Sequence, residues 1–348
     1  MRRISLLLLF FLVLIQPLFS QKKYDIKTIA FYNLENLFDI VDDTLKLDES
    51  SPIMAIKENR AAIYQLKLNN MAKVLSEIGV KEAKNSPVII GVSEIENYAV
   101  LEDLVKTSFL KDKQYGIIHY DSPDIRGIDV ALLYQTNLFK PIYHETFELR
   151  LWNEEGFRIY TRDQLLVSGY LEDELIHIIV NHWPSRLGGE AKSRSKREKA
   201  AFLNTQIITK IKETDPNPKI ILMGDLNDDP TNSSLKNILK TKGKKSDVLD
   251  GDIYNPMEDM FRRGQNTLAY RDNINLFDQI MFTSPLLTTK KDYSTYKMYK
   301  AGIFKPQYLT TQTGKYKGYP FRSWGNGGFT GGYSDHYPVY LYLIKEVF

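Results

Sequence analysis

The chain has no cysteine among its 348 residues. That excludes disulfides, thiolate metal sites and cysteine nucleophiles, so stability has to come from a packed core. It has no excess of one charge, with 46 basic against 43 acidic residues. It therefore lacks the global signature of a nucleic-acid binder, although a local patch would not show in such a sum. There is no repeat, low-complexity tract or obvious linker. There is no Gly-x-Ser-x-Gly elbow and no Gly-x4-Gly-Lys-[Ser/Thr] phosphate loop, and the glycines at 325–332 lack the strand-before, helix-after context of a dinucleotide site. The one long apolar run spans residues 4–15 and is broken only by Ser5. It is too short for an ordinary membrane span. Arg2 and Arg3 precede it, Pro17 ends it, and the small Ser20 stands before Gln21. This is the three-part pattern of a secretory signal peptide, and the absence of cysteine argues against a lipid anchor. The expectation is a cleaved signal over residues 1–20, a secreted or periplasmic location, and no transmembrane segment after cleavage. Losing Arg2 and Arg3 leaves 44 basic and 43 acidic residues.

What is present reads as globular. Apolar residues make up 43% and charged residues 26%, and tyrosine is the main aromatic with 22 copies. Residues 21–348 are expected to form one domain. Apolar strands alternate with amphipathic helices. Strands are predicted over 26–32, 88–92, 115–120, 128–134, 139–149, 160–170, 175–180, 219–223, 277–282 and 339–343. Helices are predicted over 55–78, 99–109 and 193–211, where apolar residues recur at helical spacing. Strands outnumber helices and several are joined by short connections. A mixed sheet or sandwich with outer helices fits this better than a purely parallel sheet. Residues 240–265 and 286–330 are rich in Lys, Tyr, Gly and Thr and read as long loops.

One regularity carries chemistry. Several apolar strands end in clusters of Asn, Glu, His or Asp. They are Tyr32-Asn33-Leu34-Glu35-Asn36, Ser93-Glu94-Ile95-Glu96-Asn97, Asn181-His182-Trp183-Pro184-Ser185-Arg186 and Gly224-Asp225-Leu226-Asn227-Asp228-Asp229-Pro230. Near the C-terminus Ser334 leads into Asp335-His336. Rigid strands often present site residues at their ends. Carboxylates and carboxamides suit hard cations such as Mg²⁺ or Ca²⁺, and two histidines nearby can act on phosphate or water.

Each cluster alone has a plainer reading. Asp225 and Asn227 could simply cap a turn. The alternation of Asp225, Asn227 and Asp229 begins like a calcium loop, but Pro230 and Lys236 stand where Gly and Glu belong. The basic run Lys192, Arg194, Lys196, Arg197, Lys199 is most simply a solvated helix face, with phosphate steering as the alternative. Asp278, inside the apolar Leu276-Phe277-Asp278-Gln279-Ile280, is the most informative single residue. A carboxylate in such a strand is costly unless paired, so it is expected to orient a His or Arg.

Taken in order, these segments resemble the endonuclease/exonuclease/phosphatase superfamily, over residues 26–343. The resemblance implies a four-layer α/β-sandwich of the DNase I-like kind, with two mixed β-sheets face to face and helices outside. It implies a metal-dependent phosphodiesterase acting on DNA or RNA. The alternatives are a phospholipid or inositol-phosphate esterase, and a catalytically silent binding protein on the same fold. It implies Mg²⁺, or Ca²⁺ or Mn²⁺, held by Glu94 with Asn33 and Asp335 near it. His182 matches a phosphate-contacting histidine and general acid, and Asp225 with Asn227 the Gly-Asp-x-Asn pair. Asp278 matches the partner of the C-terminal His336, and Arg126 an arginine before the next strand. Glu35 falls near a position where some members carry a second metal-linked carboxylate. Either Asp225 or the His336–Asp278 pair would be the base. The expected partner is nucleic acid or another phosphodiester, and the chain is expected to be a monomer without a stable protein partner.

Overall fold

The structure is a computed structural model describing residues 22–288 and 291–347. The expected signal peptide lies outside these residues.

Two six-stranded sheets form the centre. The first contains β1 (Lys23–Leu37), β2 (Ile89–Ile95), β3 (Tyr115–His119), β4 (Asp129–Gln135), β11 (Lys297–Ile303) and β12 (Val339–Val347), in the order β11-β12-β1-β2-β4-β3. The second contains β5 (Phe139–Phe147), β6 (Gln164–Leu171), β7 (Glu174–His182), β8 (Ile220–Asp225), β9 (Ile253–Tyr254) and β10 (Asp278–Thr283), in the order β9-β10-β8-β7-β6-β5. Both sheets are mixed. Each has one parallel pair, β1 with β2 and β7 with β8, and antiparallel neighbours otherwise. A parallel pair needs a crossover. The helix α1 (Arg60–Glu77) supplies it in the first sheet and α3 (Glu190–Thr214) in the second. The helix α2 (Tyr98–Lys106) follows β2, and α4 (Met257–Arg262) follows β9.

Three apolar layers separate the four structural ones. Ile29, Phe31 and Ile89 of the first sheet meet Val180, Ile221, Met223 and Ile280 of the second. The alternate residues Ala30, Tyr32 and Ile90 pack under α1 and α2 against Leu68, Met71, Leu75 and Leu101. Ile179, Ile220 and Leu222 pack under α3 against Ala200, Ile207 and Ile211. Central strands are thus buried on both faces, which is why they read as continuous apolar runs. The sheets approach closely at Gly91, where a Cβ would lie 2.6 Å from Met223 Sδ.

The expected four-layer sandwich holds, with local corrections. The helix predicted from residue 55 begins at Arg60, behind Asn59 in a left-handed conformation (φ 56°). The strand predicted from residue 160 begins at Gln164, because Arg162 turns inward to an ion pair with Asp124 (3.2 Å). Residues 286–330, expected as loop, contribute β11. Its charged and half-wet sequence is that of an edge strand, with a bulge between Met298 and Lys300. Residues 240–265 contain β9 and α4.

Candidate active site

The carboxyl ends of the two parallel pairs, β1 with β2 and β7 with β8, bring their terminal polar residues together across the sheet interface. Asn33 makes the junction. Its amide nitrogen donates to Glu94 Oε1 (3.0 Å) from the same sheet and to Asp225 Oδ2 (3.1 Å) from the other. Its oxygen accepts the Glu35 N–H (2.9 Å). Asn33 therefore enters the site as a donor that positions two carboxylates, with its oxygen already engaged.

Local backbone aims these groups. The ladder shifts register on both sides of Glu94, which adopts φ 57°. A bulge of this kind turns a side chain out of the pleat. Glu35, Asn36 and Asn227 also have positive φ. Each such residue costs on the order of 1–3 kcal/mol, which the surrounding structure must offset. The second Glu94 oxygen accepts the Asn36 N–H (3.1 Å). Asp225 pairs in register with His182 on one side and Asp278 on the other. Before it, Gly224 passes so close to β7 that a Cβ would lie 2.2 Å from the Asn181 carbonyl.

The two histidines occupy opposite environments. His182 Nε2 faces Asp225 Oδ2 (3.7 Å) and Glu94 Oε1 (3.9 Å), and its Nδ1 is buried with no partner among the described residues. Burial, then the positive charges of Arg162, Arg126 and His336, holds it well below the usual imidazole range. Burial also opposes charge on His336. There the Asp278 and Asp225 carboxylates outweigh it and hold the ring well above that range. His336 Nδ1 bonds Asp278 Oδ2 (2.6 Å), and its Nε2 faces Asp225 (3.9 Å) and Asp335 (3.9 Å). The segment is docked on β1 by Ser334, whose hydroxyl donates to the Asn33 carbonyl (2.8 Å) and accepts the His336 N–H (3.1 Å). Burial pushes the Asp225 carboxyl up to about 7, with His336 opposing and Asp278 adding to it.

The remaining expected residues surround this centre, Arg126 and Asp335 at the rim and Glu35 buried. Asn227 donates from its side chain to the Trp183 carbonyl (3.1 Å) and from its backbone to Asp225 Oδ1 (3.0 Å). Arg126 is about half exposed and lies 3.6 Å from Asp124. Asp335 turns one oxygen to Arg322 (3.1 Å). Glu35 points away from Glu94, accepting from Arg322 Nε (3.1 Å) and the Ser323 N–H (2.5 Å). Burial, then Asp335, pushes its carboxyl up to about 8.

Three cations here carried no sequence signal. Buried Arg162 bridges Asp124 to the Trp183 carbonyl (2.7 Å). Arg322 joins Glu35 to Asp335. Lys67, fully buried on α1, donates to the Leu34 carbonyl (2.9 Å) and Ser323 Oγ (2.8 Å). Arg186, which the motif contained, binds the Asn227 carbonyl (2.9 Å) and fixes that turn.

The donor set suits a divalent cation. Glu94, His182 and Asp225 each place a ligand atom within 4.8 Å of the others. A buried and a half-buried carboxylate, beside an imidazole whose charge burial disfavours, want a positive charge between them.

The four-layer sandwich, with this cluster at its facing strand ends, has the DNase I-like fold and a donor set suited to a phosphoric ester hydrolase. The chain matches the Endonuclease/Exonuclease/phosphatase family over residues 28–345 and belongs to it. No curated protein sequence matches it. Among solved structures it is similar to an endonuclease/exonuclease/phosphatase family protein of Bacteroides thetaiotaomicron (16% identity, 94% of this chain and 100% of that one, TM-score 0.53). It is also similar to a mannosyl-6-phosphatase of the same organism (16%, 92% and 100%, 0.51) and to truncated TDP2 of Caenorhabditis elegans (14%, 92% and 97%, 0.50). At these identities the likeness is one of fold.

Proposed function

We propose that the chain is a divalent-metal-dependent phosphodiesterase with nucleic acid as its first substrate class. The observation that carries this reading is the convergence of His182 (3.7 Å) and His336 (3.9 Å) on one buried aspartate, Asp225, where burial disfavours charge on the first ring and the Asp278 and Asp225 carboxylates favour it on the second. A binding module has no use for that arrangement.

Glu94, with the Asp225 carboxylate beside it, would hold Mg²⁺ or Ca²⁺, which take oxygen ligands. The cation supplies positive charge against a phosphate oxygen. Asn33 keeps the two carboxylates apart and in place. Asp225, with a carboxyl raised toward neutrality, suits the role of proton acceptor for the attacking water. The elevated His336 makes that ring a donor to phosphate or to the leaving oxygen, held in orientation by Asp278. This favours Asp225 over the His336–Asp278 pair as the base. His182 and Asn227 contribute uncharged hydrogen-bond donors, and Arg126 adds positive charge at the rim.

The test is a screen of the purified chain on DNA, RNA, sphingomyelin, inositol phosphates and bis-p-nitrophenyl phosphate with Mg²⁺, Mn²⁺, Ca²⁺ or chelator. Cleavage of DNA or RNA that weakens with salt supports the reading, because polyanion binding is salt-dependent. Turnover confined to lipid or inositol esters would move the substrate class, and no turnover at all would sink the assignment. Glu94→Gln is expected to keep the fold, weaken Mg²⁺ binding in a calorimetric titration, and lower metal-supported turnover by about 10²-fold or more.

A further inference from the structure

A second carboxylate group lies where residues 39–50 fold against the turn after β2 and the β3–β4 hairpin. It shares no residue with the Glu94, His182 and Asp225 set. Asp42, Asp48 and Glu49 each bring an oxygen within 4.8 Å of the others. Asp42 and Glu49 are exposed, but Asp48 is only 1% exposed. Its Oδ2 accepts the Asp43 N–H (2.9 Å). Its Oδ1 is buried and has no partner among the described residues. Asp48 also lines a cavity of about 110 Å³, with Asp43, Glu96, Asp121 and Asp129. The ammonium at that cavity, Lys46, directs its hydrogen bonds to the carbonyls of Ser122 (2.8 Å) and Asp124 (3.2 Å), and His119 pairs with Asp129 (2.9 Å), which leaves Asp48 without a cation among the described residues.

A buried carboxylate oxygen without a donor is costly, and a ring of like charges around it adds repulsion. A proton, a water or a cation could relieve this. A water brings a donor but no charge, and one proton neutralises a single carboxylate of the three, whereas a divalent cation answers the missing partner and the repulsion together. The donors are all oxygens, which selects a hard ion over zinc or copper. Their origin on a surface loop, two of the three being exposed, suits the larger and geometrically tolerant Ca²⁺ better than Mg²⁺. We propose that Ca²⁺ binds at Asp48, with Asp42 and Glu49 as further ligands and water from the cavity filling the remaining positions. The ion would fasten residues 39–50. That segment holds the hairpin through the Leu47 N–H to the Ile125 carbonyl (2.8 Å) and through Lys46, so the ion braces the turn that carries Arg126. This inference does not depend on the catalytic reading.

The test is Ca²⁺ titration calorimetry and thermal unfolding on the chain carrying Glu94→Gln, which weakens the other cation site. That parent is expected to bind one Ca²⁺ and to melt at a higher temperature with it. Adding Asp42→Ala or Asp48→Asn is expected to weaken Ca²⁺ binding by on the order of tenfold or more and to remove the thermal shift. Asp42 is a surface residue, so its variant reports on binding even if Asp48→Asn folds poorly. No Ca²⁺ uptake by the parent, or unchanged affinity in the Asp42→Ala variant, overturns the site.

Discussion

The His336→Ala chain is expected to hydrolyse a phosphodiester with kcat lowered by about 10²–10⁴-fold, the usual loss when a positioned acid or base is removed. The expectation rests on where the ring stands. It is buried, oriented through Nδ1 by Asp278, and turns its other nitrogen toward Asp225. Asp225→Ala should fall by a similar factor, because it removes the proton acceptor and frees Asn33. The two losses are not expected to multiply, since residues that act as a unit are strongly non-additive. Stability has to be separated from chemistry. His336→Ala leaves Asp278, which is 0% exposed, as a buried carboxylate without its cation. The double variant His336→Ala with Asp278→Ala should recover melting temperature while regaining no activity. Near-normal hydrolysis by both purified single variants would refute the mechanism, and recovered activity in the double variant would show that His336 serves only to neutralise Asp278.

How much of this the amino-acid order disclosed depends on the distance over which each fact is encoded. Strand-end clusters are local. An apolar run followed by Asn33, Glu94, His182 or Asp225 declares both the element and its polar tip. The pairing of Asp278 with His336 spans 58 residues, yet it was foreseeable, because a carboxylate in a buried strand needs a partner. Arg162 was not foreseeable. It reads as part of a strand, and only the approach of Asp124 and Trp183 from other elements makes it a bridge. Lys67 sits on α1 with 0% exposure, where helical spacing alone suggests a solvated lysine. The conformation of Glu94 was equally hidden, since a bulge is set by the partner strands on both sides. The edge strand β11 escaped because its alternation is diluted by Lys297, Lys300 and Tyr299.

Arg197→Met is expected to destabilise the chain by about 3–5 kcal/mol, the range for a buried ion pair stripped of one partner. The basic run that contains Arg197 looked like a solvated helix face, and Lys192, Arg194 and Lys199 are indeed exposed. Arg197 is not. Its side chain and that of Asp228 are both fully buried, with Nε to Oδ1 at 2.6 Å. The guanidinium also donates to Ser193 Oγ (2.7 Å) and the Glu190 carbonyl (3.2 Å), and the other Asp228 oxygen accepts from Ser234 (2.7 Å). Burial pushes the Asp228 carboxyl above its usual range, with Ser234 and Arg197 opposing it. Removing Arg197 leaves that charge to Arg186 alone, at 3.4 Å. Asp228 directly follows Asn227, and its carbonyl accepts from Gln279, the neighbour of Asp278. Loss of the pair should therefore loosen the turn that presents Asp225 and Asn227, and lower turnover in a fold that still forms. Urea unfolding of Arg197→Met against Lys199→Met measures the difference, the exposed control being expected within about 0.5 kcal/mol of the parent. A loss below about 1 kcal/mol for Arg197→Met would mean that the pair contributes little beyond its own desolvation. Partial recovery on adding Asp228→Asn would identify the stranded carboxylate, rather than lost packing, as the cause.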